Sequence, residues 1–170
     1  DHTGPTPDVT FFQVDTNNLT GYSQTLSEID QDGQVTRSYT YAHDLLALTD
    51  APATAGANHA YYHYDGLGST RALTDGLGGV QNTYGYAAFG GASAHGSLTT
   101  QSLEQPYQFT GERHDHLTGL YHLRARQYDP SMGRFTAFDP VEDPGNRLHR
   151  YNYCGGDGVN VVDPSGAVVG

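Results

Sequence analysis

Four aromatic pairs recur along the chain at nearly constant spacing: Tyr39-x-Tyr41, Tyr62-x-Tyr64, Tyr84-x-Tyr86 and Tyr107-x-Phe109. Their steps are 23, 22 and 23 residues. A fixed period of this size marks a repeat architecture rather than an ordinary globular fold. Within each pair the i, i+2 spacing puts both rings on one face of a strand. Stacked strands of this kind predict a ladder of rings along one face of a continuous sheet.

Composition agrees with a thin sheet wetted on one side. The hydrophobic share is 36%, with no Trp, one Met, 13 Tyr and 6 Phe. Tyr adds apolar area together with a hydroxyl that reaches solvent or a backbone group. A length of 170 residues leaves room for one or two small domains. The net charge of −11, with eight Arg and no Lys, repels phosphate backbones and argues against nucleic-acid binding. No run of 18 apolar residues occurs, so no membrane span is expected. The lone Cys154 excludes an internal disulfide framework. The sequence begins Asp1-His2-Thr3-Gly4, without Met or a signal-like stretch, as expected of an excerpt or processed product of a longer chain.

Gly (22) and Pro (8) punctuate the chain every few residues, the pattern of short strands and tight turns. Helical periodicity is confined to the short stretch Ala42–Leu48. The segment Gly33–Ala42 aligns without gaps on Gly78–Ala87, two periods on. Asp65-Gly66 and Asp75-Gly76 read as hairpin or bulge turns in which Gly supplies positive φ. Ala51–Asn58 and Gly90–Thr100 are small and polar and read as loops. From Thr110 the pattern changes. Gly119–Asp129 alternates as one strand up to Pro130, and Gly133-Arg134-Phe135 opens a last strand ending at Asp139-Pro140.

Several of these segments together carry a family resemblance. They are Tyr64-Asp65-Gly66-Leu67-Gly68-Ser69, Phe109-Thr110-Gly111-Glu112, Thr118-Gly119-Leu120-Tyr121, Arg124–Pro130, Gly133-Arg134-Phe135, Asp139-Pro140 and Val161–Gly166. In this order, from about Asn18 to Gly166, they resemble the RHS repeat-associated core domain. The resemblance implies an all-β fold of antiparallel YD repeats with a period of about 22 residues. Such sheets spiral into hollow shells in bacterial polymorphic toxins, in the C components of Tc toxins and in animal teneurins. It divides the chain into YD-type β repeats over 1–109 and the C-terminal segment of the RHS core over 110–170. Its implied partners are further repeats of the same or neighbouring chains and an encapsulated C-terminal toxin. Its implied location is outside the cell or at the cell surface.

The resemblance also carries chemistry. In several members the core domain cuts its own chain just after the terminal motif, using two Asp and one Arg, which fall here on Asp139, Asp163 and Arg126. Two close carboxylates share a proton, so one acts as base and the other as acid. The base activates a water against the carbonyl at Gly166, and Arg126 steadies a carboxylate or the oxyanion. A self-cut chain ends near Ala167, whereas this one runs to Gly170; on this reading the cut has not occurred or no cargo follows. Asp-Pro is equally an ordinary strand-terminating turn, as at Asp129-Pro130 and Asp143-Pro144.

Other constellations read as structural. Asp30-Gln31-Asp32-Gly33 is a turn, since no acidic residue stands at the twelfth position of a calcium loop. His114-Asp115-His116 with His122 reads as an exposed turn rather than a metal site. Cys154 is a buried small side chain, and Arg124 and Arg126 share a strand face and pair with neighbouring carboxylates. The sequon Asn18-Leu19-Thr20 is of a kind that arises by chance. No cofactor and no metal are expected. Three functions follow: a structural shell module of a secreted protein, an aspartic autoprotease of a single turnover, and a self-assembling subunit of a fibre or surface layer joined through open sheet edges. The structural class is preferred.

Overall fold

A computed structural model describes residues 9–50, 58–91, 99–141 and 149–167. They fall in two compact units, one within Asp1–Tyr62 and Asp75–Gly78, the other within His63–Thr74 and Gly79–Gly170. The described residues are all-β and antiparallel, with 3-10 turns at Phe109–Gly111 and Cys154–Gly156. Among them no helix is long and apolar enough to cross a membrane.

The first unit is a meander of β1 (Phe11–Asp15), β2 (Gln24–Ile29), β3 (Val35–Tyr41), β4 (Leu45–Asp50) and β5 (Asn58–Tyr64), whose last two residues belong to the second unit. Tyr39 lies opposite Leu48, and Leu48 opposite Ala60, so three buried side chains stack across three strands. Tyr62 is buried between exposed Tyr61 and His63, as period-2 patterning requires. On the same sheet Tyr39 donates its hydroxyl to Glu28 Oε1 at 2.7 Å, while Arg37 reaches Glu28 and Asp50. The stretch Ala42–Leu48 is not helical: Ala42 N–H closes a tight turn on Asp44 O at 2.9 Å and β4 follows at once. Pairing on both edges of β4 overrides its weak helical propensity.

The second unit holds a meander of β6 (Thr70–Thr74), β7 (Val80–Thr83) and β8 (Thr100–Gln101). It also holds a four-stranded sheet of β9 (Arg113–Asp115), β10 (Leu120–Leu123), β11 (Arg126–Asp129) and β12 (Arg134–Phe135), ordered β12-β11-β10-β9. The expected long strand over Gly119–Asp129 is instead a hairpin. Leu123 pairs with Arg126 across a two-residue turn, Arg124-Ala125, in which Arg124 takes φ +47°. The last strand is likewise shorter than expected, ending at Phe135.

Here the rings do not merely form a ladder. Phe109, Tyr121, Leu123, Tyr128, Phe135, Tyr153 and Cys154 close into one buried cluster, with Tyr128 and Tyr153 centroids 4.5 Å apart. Tyr84 and Tyr86 stack at 6.3 Å, and Tyr86 meets Phe109 at 5.7 Å. The Tyr84 and Tyr107 pairs lie just outside named strands, at bridges and turns.

One turn recurs. Asp30, Asp65 and Asp75 each accept the N–H two residues on through Oδ1, at 2.9, 3.0 and 2.9 Å. Each also accepts, through its main-chain carbonyl, the N–H of the Gly three residues on. Those glycines, Gly33, Gly68 and Gly78, are the ones at positive φ. The positive φ expected at Gly66 and Gly76 therefore sits two residues later, where the Asx turn hands the chain back to the next strand. The loops Ala51–Asn58 and Gly90–Thr100, and Asp143-Pro144, lie mostly or wholly outside the described residues.

Candidate functional site

Arg126, Asp139 and Asp163 come from three separate stretches of the second unit and meet around one guanidinium. Arg126 opens β11 and is 5% exposed, with its guanidinium carbon 3.6 Å from the centroid of Phe135. That ring shields one face and orients the fork. Arg126 Nη2 lies 3.0 Å from Asp139 Oδ2 and 3.4 Å from Asp163 Oδ2. Its Nη1 donates to the Arg150 carbonyl at 3.1 Å, and its Nε donates to the Gly166 carbonyl.

Asp139 is held from behind. Its N–H donates to Arg150 O at 3.0 Å, Arg150 Nη2 donates to its carbonyl, and its Oδ1 accepts Val141 N–H at 2.9 Å. Its side chain keeps 24% of its surface open, a route for water, whereas Asp163 is 2% exposed. Asp163 Oδ1 accepts the Ser165 hydroxyl at 2.9 Å and the Ala167 N–H at 3.2 Å. The chain therefore turns tightly over Asp163–Ala167. Gly166 sits at its apex with φ +69°, where a Cβ would overlap the Leu123 carbonyl oxygen.

Burial pushes the Arg126 guanidinium below its ordinary pKa, and the two carboxylates oppose that shift. Beside the trio, Glu112 is lifted to about 7 by burial, against the pull of Arg124, whose Nη1 is 2.8 Å from its Oε1; the charge of Asp163 adds to the rise. Burial also pushes the Cys154 thiol up to about 11, so it is a neutral packing group.

His114 lies in β9, half-buried 4.8 Å from the Tyr121 ring, not in an exposed turn. Among the described residues no group of three or more His, Cys, Asp or Glu is placed to hold a metal ion. Arg124 does pair with a carboxylate, Glu112, but from the turn rather than from a strand face shared with Arg126. Sequence reasoning missed Glu112 and Arg150, whose parts follow from folded-chain proximity, and Ser165, whose bond to Asp163 spans two residues within the terminal motif.

The second unit thus presents a buried Arg between two carboxylates on an antiparallel β framework. That framework has a solved counterpart. The crystal structure of TcdB2–TccC3–Cdc42 matches 96% of this chain and 8% of the matched chain with a TM-score of 0.67 and 17% identity, so the fold is shared. The tRNA3(Ser)-specific nuclease WapA of Bacillus spizizenii is 34% identical over 148 residues, 83% of this chain and 6% of that protein. Double-stranded DNA deaminase toxin A of Burkholderia cenocepacia is 34% identical over 134 residues, 78% of this chain and 9% of that protein. The chain is related to the RHS-type toxin proteins. It spans less than a tenth of the length of these relatives. No family model matches the chain.

Proposed function

We propose that the chain is the RHS core module of a secreted RHS protein, a structural β-repeat piece that forms or closes an encapsulating shell around a downstream toxin. The observation that carries this reading is the seating of residues 161–167 on the hairpin. Asp163 and Gly166 are buried, and the segment is bonded along the β10–β11 hairpin rather than lying on the surface. On this reading, a segment so held keeps the chain that follows it tied to the module. Its partners on this reading are further RHS repeats and the enclosed toxin, and its place is outside the cell or at the cell surface.

A second reading, self-cleavage after Gly166, is favoured by where the trio's polar atoms fall. Arg126 Nε donates to the Gly166 carbonyl, the one that would be attacked, and so sits where an oxyanion develops. Asp163 touches the Ala167 nitrogen, the leaving group. Asp139, the more open carboxylate, is the base: it takes a proton from water as the oxygen adds to the carbonyl carbon. The Gly166–Ala167 bond then breaks and the Ala167 nitrogen takes up the proton that Asp139 removed from water.

Intact mass and light scattering on the wild type and Asp139→Asn test both readings. A wild-type chain ending at Gly166, with the variant running to Gly170, supports self-cleavage. Equal masses sink it. Large concentration-dependent assemblies of the isolated chain count against a shell module and for edge-paired fibres.

A further inference from the structure

Three consecutive carbonyls of the C-terminal segment are each held by one of three consecutive residues of the β10–β11 hairpin. Arg124 Nη1 donates to Pro164 O, Ala125 N–H to Ser165 O at 3.2 Å, and Arg126 Nε to Gly166 O. The middle contact is a strand-like backbone bond. The outer two come from long side chains, and a long side chain holds a position only when its rotamer is fixed.

Phe135 and two carboxylates fix Arg126. Arg124 is fixed differently. Its φ of +47° is rare for a residue with a Cβ. Its Nη1 lies between Pro164 O and Glu112 Oε1, the latter at 2.8 Å. Glu112 is itself anchored, its N–H donating to Phe109 O at 3.0 Å and its carbonyl accepting Gln108 N–H at 3.0 Å. The charged groups facing Glu112 are Arg124, from the turn, and Asp163, from the C-terminal segment.

We infer that Glu112 and Arg124 are a positioning pair, which holds the Pro164–Gly166 backbone in register with Arg126 and so aligns the Gly166 carbonyl. The pair touches no reacting atom. Its consequence for cutting rests on the self-cleavage reading, whereas the alignment itself is a property of the uncut chain.

The test is amide hydrogen exchange on the full chain carrying Asp139→Asn, which keeps it uncut. Arg124→Ala and Glu112→Leu are expected to speed exchange at Ala125, Gly166 and Ala167 by about tenfold, with Tyr121 and Tyr128 unchanged. Glu112→Gln, which retains an oxygen for Arg124, is expected to stay within about twofold of its parent. Unchanged exchange at the three amides overturns the pair. So does a uniform rise across the second unit, which marks general loosening, and so does Glu112→Gln behaving like Glu112→Leu. With Asp139 restored, Arg124→Ala is expected to slow the appearance of the chain ending at Gly166 by about tenfold. A wild type that never cuts rejects the self-cleavage reading and leaves the exchange result to decide the pair.

Discussion

At Arg126 one side chain serves four partners: two carboxylates and two main-chain carbonyls. Removing it strands a fully buried Asp163 carboxylate. Arg126→Ala is therefore expected to cost about 3–5 kcal/mol, read as a lower urea midpoint. Arg126→Lys recovers only part of this, because an ammonium lacks the planar fork that spans both Asp and both carbonyls. Gly166 is the complementary case, where a missing atom matters. Its φ of +69° and the Leu123 carbonyl beside it leave no place for a Cβ. Gly166→Ala is expected to lose about 2 kcal/mol or more and to open the Asp163–Ala167 turn, seen as faster exchange of the Ala167 amide. The family resemblance named the trio, and the structure brings its three side chains together. Glu112 stands in one of the same short motifs, but what brings it to Arg124 is packing across the sheet and not a spacing along the chain.

Among the elements, the turns carry the repeat as much as the aromatic pairs do. In Asp65-Gly66-Leu67-Gly68 one carboxylate oxygen accepts the N–H groups of Leu67 and Ser69, both at 3.0 Å, and Gly68 takes φ +80°. Asp65→Ala leaves those donors to water and is expected to cost about 1–2 kcal/mol; Asp65→Asn, which keeps the accepting oxygen, costs less than half of that. Thermal melts of the two variants check the order. The Asp-x-x-Gly spacing at Asp30, Asp65 and Asp75 is local in the sequence, but it overlaps Asp-Gly dipeptides that by themselves suggest a tighter turn. The β10–β11 hairpin was also misread, for a related reason. Buried Tyr121 and Leu123 are out of phase with buried Arg126 and Tyr128, and that slip of one residue marks the turn. The slip was hidden because Arg124-Ala125 lacks the Gly or Asn that usually announces a two-residue hairpin.

Over the whole molecule, an acidic chain with a net charge of −11 keeps an uncommon carboxyl, Glu112, at a pKa of about 7. The sign of its effect follows from its direction. A carboxyl raised from 4.5 to about 7 binds its proton more readily folded than unfolded, so it withdraws stability as pH rises through that window. Denaturation of the wild type and Glu112→Gln at pH 4.5 and pH 8 is expected to shift the balance between them toward the variant at the higher pH. A difference independent of pH would contradict the shift. The sequence by itself determined the all-β class and the aromatic period, because strand alternation and turn residues are local in the chain; it named Arg126, Asp139 and Asp163 only through the family resemblance of its short motifs. Only the tertiary structure decided the closed aromatic core, the carbonyl-by-carbonyl seating of residues 164–166 on the hairpin and the pairing of Glu112 with Arg124. Those contacts join residues as far apart as Phe109 and Tyr153. Burial and close packing of the folded chain select them, and no periodicity records them.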